Sequence, residues 1–310
     1  MAEIAYLQVQ RACNQSCLFC SNPSNGRIVP FEEAVEHVEH YAKVGAPGII
    51  LTGGEPTQYP HLAKLVRFIK DKKIHCRIIT NGSNTWDYDF LKSLTDAGLD
   101  CMHISLYSHK QETHDFLTHK KGSWECIVRS LENAGKLRLD TRINSVINKY
   151  NSDHLSQIPK WIVRDYPFVR HFSLNNLDPW MVRPEHRDTI PRFSEFELEL
   201  HRWMDFIHST GRTFRVERVP LCYMAGFEHC STETRKIVKD EKRRIYFLDQ
   251  RGMLIQDGFD REKAECCRQC SLESICAGVA SMDIYYSAAE LSPVFVPRNS
   301  IIQNILATAD

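Results

Sequence analysis

The sequence predicts an α/β fold in which about six strand–helix units form a partial (β/α)6 barrel, followed by a small cysteine-rich C-terminal domain. Three observations lead to this prediction. Strand-like and helix-like segments alternate over the first 180 residues, and about six such units are present, fewer than the eight of a closed barrel. Cysteines then crowd into residues 222–276.

Each predicted strand is a short run rich in Ile, Val, Leu and Thr, and each predicted helix repeats apolar residues at helical spacing. The predicted strands cover residues 4–10, 48–53, 75–82, 101–108, 139–148 and 169–176. The helical faces are Phe31, Val35, Val38 and Ala42; Leu62, Leu65, Val66 and Ile69; Phe90, Leu91, Leu94 and Ala97; and Trp124, Ile127, Leu131 and Ala134. Helices between consecutive strands predict parallel pairing, and hence an open TIM-like sheet.

The composition changes after Pro179. Residues 193–209 show a helical pattern that begins with Ser194 followed by Glu197, the spacing of a capping box. We therefore predict three regions: residues 1–180, the partial barrel; residues 181–218, a bridging helix and linker; and residues 219–310, a small cysteine-rich domain.

Charge and composition narrow the function classes. The 39 basic and 39 acidic residues balance, so no overall field favours nucleic acid or an anionic membrane as a partner. The chain shows neither a signal peptide nor an apolar run of the roughly 18 residues that span a bilayer, so we expect a cytoplasmic protein. Because the cytosol keeps thiols reduced, the clustered cysteines among the 12 in the chain indicate metal or redox chemistry.

Three cysteines follow the first strand at C-x3-C-x2-C spacing, in the segment QRACNQSCLFCSN. A tight loop would bring Cys13, Cys17 and Cys20 close enough to hold one polynuclear iron site. A cubane cluster has four irons, so three protein ligands leave one iron open. The alternatives are a structural zinc site or three buried thiols; zinc prefers four closed ligands, and no partner His follows at finger spacing.

The second strand runs into TGGEP, residues 52–56. Gly53 and Gly54 are expected to let a ligand approach the backbone, because no Cβ intervenes. Glu55 then offers a carboxylate to an ammonium group. Alone, the pentapeptide is equally consistent with a helix-leading loop, but one strand after the cysteine loop it indicates a ligand site.

In three features the chain resembles the radical S-adenosylmethionine (SAM) superfamily: CNQSCLFC after the first strand, GGEP after the second, and about six βα units up to roughly residue 180. The resemblance implies that Cys13, Cys17 and Cys20 bind a [4Fe-4S] cluster whose fourth iron is chelated by SAM. Phe19 matches the aromatic residue that shields the cluster in this family. The implied reaction is reductive cleavage of SAM to a 5′-deoxyadenosyl radical, which abstracts a hydrogen atom from the substrate.

Further SAM contacts are expected at the ends of later strands. Ser105 ends the fourth strand, where similar enzymes place a hydroxyl toward SAM. Arg142 and Asn144 lie on the fifth strand and face the same way if its side chains alternate, and Asn81 follows the third strand. For each of these residues, the alternative is a polar side chain that only caps a loop.

The C-terminal cysteines suggest a second metal site. They are Cys222, Cys230, Cys266, Cys267, Cys270 and Cys276. The C-x2-C-x5-C spacing from Cys267 resembles the auxiliary-cluster domains of radical SAM enzymes, called SPASM and twitch. Position 280 is alanine and no cysteine follows Cys276, so two complete auxiliary clusters are not expected. We predict one auxiliary [4Fe-4S] cluster on Cys222, Cys267, Cys270 and Cys276, with structural zinc as the alternative.

Cys230 and Cys266 have no assigned partner in this scheme. Either could replace one of the four auxiliary ligands, or be an inert thiol. A further hypothesis is that one of them donates a hydrogen atom to a substrate radical, as a cysteine does in related peptide epimerases.

Three functions remain open at this point. The first is modification of a ribosomally made peptide by epimerisation, crosslinking or oxidation; the second is oxidation or rearrangement of a small metabolite; the third is a non-catalytic iron–sulfur scaffold or sensor. The first strand begins at Ile4, which is expected to leave no room for the leader-recognition domain of many peptide-modifying relatives. The expected partners are a peptide or small-molecule substrate and an electron donor such as flavodoxin or ferredoxin.

Overall fold

The computed structural model describes residues 4–259 and 261–308, in which nine strands form one sheet. The strands are β1 (Ala5–Gln10), β2 (Gly48–Gly53), β3 (His75–Thr80), β4 (Cys101–Ser105), β5 (Asp140–Val146), β6 (His171–Asn175), β7 (Thr213–Glu217), β8 (Arg243–Phe247) and β9 (Gly252–Gln256). The helices are α1 (Phe31–Lys43), α2 (Leu62–Asp71), α3 (Tyr88–Asp96), α4 (Gln111–Thr118), α5 (Ser123–Leu137), α6 (Gln157–Asp165), α7 (Phe193–Ser209), α8 (Thr232–Lys239) and α9 (Arg298–Ala307).

The strand order is β7-β6-β5-β4-β3-β2-β1-β8-β9. All pairs from β1 to β7 are parallel, β8 pairs in parallel with β1, and β9 returns antiparallel to β8. Parallel neighbours require crossovers, and helices supply them between successive strands of the β1–β7 series. This confirms the predicted open, TIM-like α/β fold.

The core lies between the sheet and its helices, as β3 illustrates. Cys76 and Ile78 are fully buried against the helices, whereas Arg77 and Ile79 are half-buried on the other face. Successive side chains of a strand point to opposite faces, so one face of each strand packs and the other lines the barrel. Polar side chains are therefore carried into the barrel interior by strands whose other face holds the fold together.

The sheet curls enough to bring distant strands together. The Glu217 carboxylate of β7 lies 2.7 Å from the Arg243 guanidinium of β8, although these are the first and the eighth strands in the order. Burial raises the pKa of Glu217, but the charges of Arg243 and Arg218 and the hydrogen bond from Arg243 together outweigh this effect and hold that pKa below its usual range. The ion pair thus joins the two sides of the open barrel.

The stretch expected to act as a linker contributes to the sheet. Within residues 181–218, α7 covers the predicted residues 193–209, and β7 adds a seventh parallel strand beside β6. The β8–β9 hairpin extends the opposite side of the sheet, beyond β1. The six predicted strand–helix units include neither β7 nor the β8–β9 hairpin. Both are short segments that lie beyond the point where the composition changes. The three-region division of the chain stays a prediction.

The capping box predicted for α7 was wrong by two residues. The Glu195 carboxylate accepts the backbone N–H of Arg192 at 3.1 Å and closes the first turn. Ser194 lies inside the helix, and its hydroxyl donates to the carboxylate of Glu290 at 2.9 Å. The Ser194 side chain, predicted to cap the helix, therefore makes a tertiary contact with Glu290 instead.

Candidate active site

The carboxyl ends of the parallel strands surround a cavity of about 220 Å³. Each strand from β1 to β6 contributes at or just beyond its end, where loops leave the sheet and side chains converge. The lining includes Cys13, Cys17, Phe19, Cys20, Gly53, Gly54, Glu55, Asn81, Ser105, Tyr107, Asn144, Asn175, Asn176, Asp178 and Arg218. Residues spread over more than 200 positions of sequence are thus brought to one chamber.

The three N-terminal cysteines lie in the wall of this cavity. Burial raises the pKa of Cys13 to about 11, and it raises the pKa of Cys17 still further, with the neighbouring Cys20 and Cys13 thiols adding to the effect. The Gln15 N–H donates to the Cys13 sulfur at 3.4 Å. Without a cation these thiols stay protonated, whereas a bound metal would turn them into mutually screened thiolates.

The thiols fit a polynuclear cluster better than a single ion. Among residues 4–259 and 261–308, no three His, Cys, Asp or Glu side chains are arranged to hold one metal ion. Three cysteines that line one cavity without meeting at a point suit a cluster, since its irons are spread over several ångströms. This arrangement argues against the zinc alternative for this loop.

Helix α4 and the Phe19 side chain hold the cysteine loop in place. Backbone N–H groups of Ser16 and Leu18 donate to carbonyls at the end of α4, at 3.1 and 3.0 Å. Phe19 is 4% exposed and meets Tyr107 edge-to-face, with ring centroids 4.7 Å apart. Phe19 therefore lies where it can shield a cluster, as the family resemblance implied.

Gly53 and Gly54 line the cavity, so their contact with a ligand stays a prediction, and their missing Cβ atoms also make room for the chain itself. A Cβ on Gly53 would lie 1.9 Å from the carbonyl oxygen of Gln10, and a Cβ on Gly54 would lie 2.1 Å from that of Ala12. The group that approaches these glycines is thus the chain itself, at the start of the cysteine loop. The Gly54 N–H donates to Gln10 at 2.7 Å and the Glu55 N–H donates to Ala12 at 2.9 Å. The glycines set the position of the cysteine loop against the end of β2.

Glu55 is 1% exposed and accepts four hydrogen bonds. Oε1 accepts from Thr57 N at 3.0 Å, Thr57 Oγ1 at 2.6 Å and Thr80 Oγ1 at 2.7 Å, and Oε2 accepts from Asn81 N at 2.7 Å. Burial raises the pKa of Glu55, and these donors lower it only in part. Oε2, with a single donor, keeps a lone pair for a ligand.

We expect Glu55→Gln to lower the free energy of unfolding by about 2 kcal/mol, because an amide cannot accept from both sides and leaves a buried N–H unpaired. Urea unfolding followed by circular dichroism measures the change. The control is Glu39→Gln, whose side chain is 56% exposed and whose loss should change stability by less than about 0.5 kcal/mol. Equal stability of the Glu55→Gln and wild-type proteins would contradict the assigned network.

The other predicted SAM contacts divide into two groups. Asn81, Ser105 and Asn144 all line the cavity. Arg142 shares the interior face with Asn144, but it lies one pleat further from the cavity and its guanidinium donates to Asp140 at 3.0 Å. The alternation of side chains along a strand predicts which face of the sheet each residue occupies. It does not predict how far along the barrel axis the cavity extends.

Sequence analysis missed several lining residues. Tyr107 follows Ser105 by two positions, and Asn175 ends β6 and donates to Asn144 at 2.9 Å. Both could have been found by extending the strand-end rule to every strand. Asp178 and Arg218 lie in loops beyond β6 and β7, and no sequence signal marked them.

Four of the C-terminal cysteines surround a second, smaller cavity. Its sulfur-bearing residues are Cys222, Cys267, Cys270 and Cys276. Backbone N–H groups donate to the sulfurs of Cys270 and Cys276, at 3.3 and 3.4 Å. Burial raises the pKa of Cys222 to about 11, and the nearby Cys276 and Cys267 contribute to the shift. Close thiols that already receive N–H donors suit thiolate ligation, since such donors stabilise negative sulfur.

Cys230 and Cys266 line neither cavity. Cys230 is 7% exposed and lies near Arg215 and Arg235. The Cys266 thiol donates to the Leu291 carbonyl at 3.6 Å. A hydrogen-atom donor has to reach the substrate, so this placement gives no support to that role for either thiol.

Iron content tests the four-cysteine assignment. After anaerobic reconstitution we expect about eight irons per wild-type chain and about four in Cys270→Ser, because one [4Fe-4S] cluster loses its ligand. Cys266→Ser is the matched control and should keep about eight. Zinc instead of iron at this site, or iron loss in the control alone, would show that the assignment is wrong.

Fold and site together define an α/β partial-barrel protein with a cysteine-lined cavity at the carboxyl ends of its strands. The family model described as the Radical SAM superfamily matches residues 7–162, half of the chain. The chain therefore belongs to the radical SAM superfamily, whose members bind a [4Fe-4S] cluster and SAM.

Two curated relatives each match about half of the chain. One is an AdoMet-dependent heme synthase of Methanosarcina barkeri, 25% identical over 154 residues, which are 48% of this chain and 44% of the relative. Another is a probable GTP 3′,8-cyclase of Thermococcus kodakarensis, 29% identical over 151 residues, which are 47% of this chain and 48% of the relative. The match thus spans less than half the length of either relative.

Solved structures resemble a larger part of the chain. Streptococcus suis SuiB bound to its precursor peptide SuiA has a TM-score of 0.67 at 15% identity, over 90% of this chain and 72% of SuiB. The enzyme anSMEcpe with bound AdoMet has a TM-score of 0.63 at 15% identity, over 89% of this chain and 88% of that one. At this identity the likeness concerns the fold. In the part of the chain that the structure describes, every helix is too short or too polar to span a bilayer.

Proposed function

We propose that this protein is a radical SAM enzyme that abstracts a hydrogen atom from a ribosomally made peptide and thereby epimerises, crosslinks or oxidises it. The observation that carries the proposal is the single cavity that joins Cys13, Cys17 and Cys20 to the Gly53–Glu55 loop and to Ser105 and Asn144. When bound, the cluster and SAM supply one-electron cleavage of the sulfonium and a 5′-deoxyadenosyl radical.

The residues of the chain bind and orient these groups. Cys13, Cys17 and Cys20 would hold three irons and leave the fourth to SAM. Glu55 Oε2, with its remaining lone pair, is placed to accept the methionyl ammonium group. Ser105 and Asn144 offer a hydroxyl and an amide for the polar atoms of SAM. Each polar group in this set is held by the end of a different strand, which fixes its position before the ligand arrives.

Apolar side chains at the mouth of the cavity protect the reaction. Phe19, Tyr107, Leu117, Leu177 and Val182 form a small separate cluster in which each is under 9% exposed. They keep water from the space beside the cysteines, which matters because a primary radical reacts with most nearby C–H bonds. The Tyr107 hydroxyl, whose pKa is raised well above its usual value by burial, stays protonated and adds no charge.

A peptide is supported as substrate by the fold comparisons. The structural neighbours include SuiB with a bound precursor peptide and anSMEcpe with bound AdoMet and a Cp18Cys peptide. The curated relatives favour the second candidate, radical chemistry on a small metabolite, because they include a heme synthase and a GTP cyclase.

We infer that the second cysteine set holds an auxiliary [4Fe-4S] cluster with four protein ligands, and that a flavodoxin or ferredoxin supplies electrons to a cytoplasmic enzyme. Full ligation by Cys222, Cys267, Cys270 and Cys276 would leave no iron open for substrate. Such a cluster carries electrons and does not bind the substrate directly.

Reductive SAM cleavage tests the proposal. Anaerobically reconstituted protein is incubated with SAM and dithionite, and 5′-deoxyadenosine is measured by mass spectrometry. Peptides encoded beside the gene and candidate metabolites are then added in deuterated form. Deuterium transfer from a peptide supports the first candidate, and transfer from a metabolite supports the second. An intact cluster that leaves SAM uncleaved would instead favour a non-catalytic scaffold or sensor.

A further inference from the structure

Arg218 is the only lysine or arginine among the described residues that line the main cavity. It follows the last residue of β7, at the far edge of the parallel strands from β1 and β2. The ends of β1 and β2 carry Cys13 and Glu55, which we assign to the cluster and SAM. Arg218 is thus carried to the cavity by a different strand from those that carry Cys13 and Glu55.

The backbone of Arg218 is held in a left-handed conformation, with φ of 60°. This region is sparsely populated by residues that carry a Cβ. The carboxylate of Glu233 in α8 accepts the Arg218 N–H at 2.9 Å. Glu233 is 4% exposed and pairs with Arg261 at 2.8 Å. Glu233 is thus a positioning residue that fixes where the Arg218 side chain leaves the backbone.

The Arg218 guanidinium keeps unused donors. Its Nη1 donates to the Asn176 carbonyl at a long 3.4 Å and lies 4.0 Å from Glu217. Glu217 already pairs with Arg243 at 2.7 Å. In residues 4–259 and 261–308, Nε and Nη2 of Arg218 make no hydrogen bond, and the side chain is 29% exposed. A strained, accessible cation with free donors is suited to a ligand, and not to a structural ion pair.

The other charges of the cavity select the kind of anion. Asp178 lines the same cavity and is not within ion-pair distance of Arg218 in the described chain. Glu55 is a second acidic group in the wall. One cation with two nearby carboxyl groups would repel a triphosphate but accommodate a single carboxylate, which matches the planar guanidinium in a paired geometry.

We propose that Arg218 binds a carboxylate of the substrate, so that the enzyme selects peptides with an acidic side chain or a free C-terminus at this place. This inference rests on the proposed function, because it takes the cavity to hold SAM and substrate side by side. The contact anchors the peptide at the carboxyl end of β7. It would fix which carbon atom of the peptide lies next to SAM.

The test uses three tripeptides as probes. Ac-Ala-Glu-Ala-NH2 carries a side-chain carboxylate, Ac-Ala-Gln-Ala-OH carries a terminal carboxylate, and Ac-Ala-Gln-Ala-NH2 is neutral. Dissociation constants are measured by NMR titration against the reconstituted, SAM-loaded protein. We expect wild type to bind one of the two carboxylate probes at least about tenfold more tightly than the neutral probe. The better probe tells whether a side-chain or a terminal carboxylate is read. Arg218→Gln should lose the preference, and Arg218→Lys should restore part of it.

Two variants separate binding from folding. Arg187→Gln removes a nearby arginine that stacks on Trp180 outside the cavity lining, and it should keep the preference. Arg218→Gly relieves the left-handed backbone, so it should lose the preference while its urea midpoint does not fall. Wild-type protein that binds all three probes equally, or binds none, would overturn the proposal.

SAM measurements on the same samples distinguish the two proposals. Intact SAM cleavage without carboxylate preference means that Arg218 is not an anion site, while the proposed function stands. A carboxylate preference without SAM cleavage means that Arg218 is an anion site, while the proposed function fails. Weaker SAM binding in Arg218→Gln would place Arg218 on SAM itself and would also overturn the inference.

Discussion

Cys17→Ala is expected to reduce SAM cleavage by about three orders of magnitude or more and to remove about four irons per chain. Cys17 is the most deeply placed of the three thiols, and its pKa is raised by burial and then by the charges of Cys20 and Cys13. Two remaining cysteines cannot hold a cubane cluster with one open iron. Iron analysis and the electron paramagnetic resonance signal of the reduced cluster report this loss independently of turnover.

Cys126→Ala is the matched control for this experiment. Cys126 lies in α5 and lines neither cavity, so both iron content and SAM cleavage should match wild type. A Cys17→Ala protein that keeps its first cluster and cleaves SAM at the wild-type rate would remove the basis of the proposed function. The auxiliary site should keep its iron in both variants, which also checks that the protein is folded.

Gly54→Ala is expected to lower the free energy of unfolding by about 3 kcal/mol and to impair loading of the first cluster. The new Cβ would lie 2.1 Å from the Ala12 carbonyl oxygen, and the clash is with backbone that cannot rotate away. Relief requires the start of the cysteine loop to move, which breaks the bond from Glu55 N to Ala12 O. Urea unfolding and iron analysis measure the two effects.

Gly258→Ala provides the control, since within the described chain no atom outside its two sequence neighbours lies within 4 Å of the added Cβ and its φ is not in the left-handed region. It should unfold within about 0.5 kcal/mol of wild type. Wild-type stability and full iron loading in Gly54→Ala would show that the loop moves freely, and that the close approach is not what positions Cys13.

Several elements were predictable because their signals are local. The periodic apolar faces of α1, α2, α3 and α5 set those helices, and runs of β-branched residues set strands β1 to β6. The spacing of Cys13, Cys17 and Cys20 predicted that they share one site, and all three line the same cavity. The four cysteines predicted for the auxiliary site also line one cavity, although Cys222 lies 45 positions before Cys267.

Other features depend on what lies next to them in space. Arg142 has the residue type and the strand face of a ligand, yet it pairs with Asp140 away from the cavity. Gly53 and Gly54 line the cavity as predicted for a ligand site, but the space where their Cβ atoms would lie is taken by the backbone of the cysteine loop. A sequence pattern shows which chemical groups are present. It does not show which neighbouring group each of them contacts in the folded protein.

The amino-acid sequence alone determined the fold class through short-range periodicity, and its motifs carried the resemblance that predicted the family and the three thiols proposed for the first cluster. Only the tertiary structure decided that Asp178 and Arg218 face the cavity, that Cys230 and Cys266 do not, and that Glu217 joins β7 to β8. These outcomes depend on how the sheet curls and on which distant loops meet at its rim. That curvature is a collective property of the packed strands and helices, so no single segment encodes it.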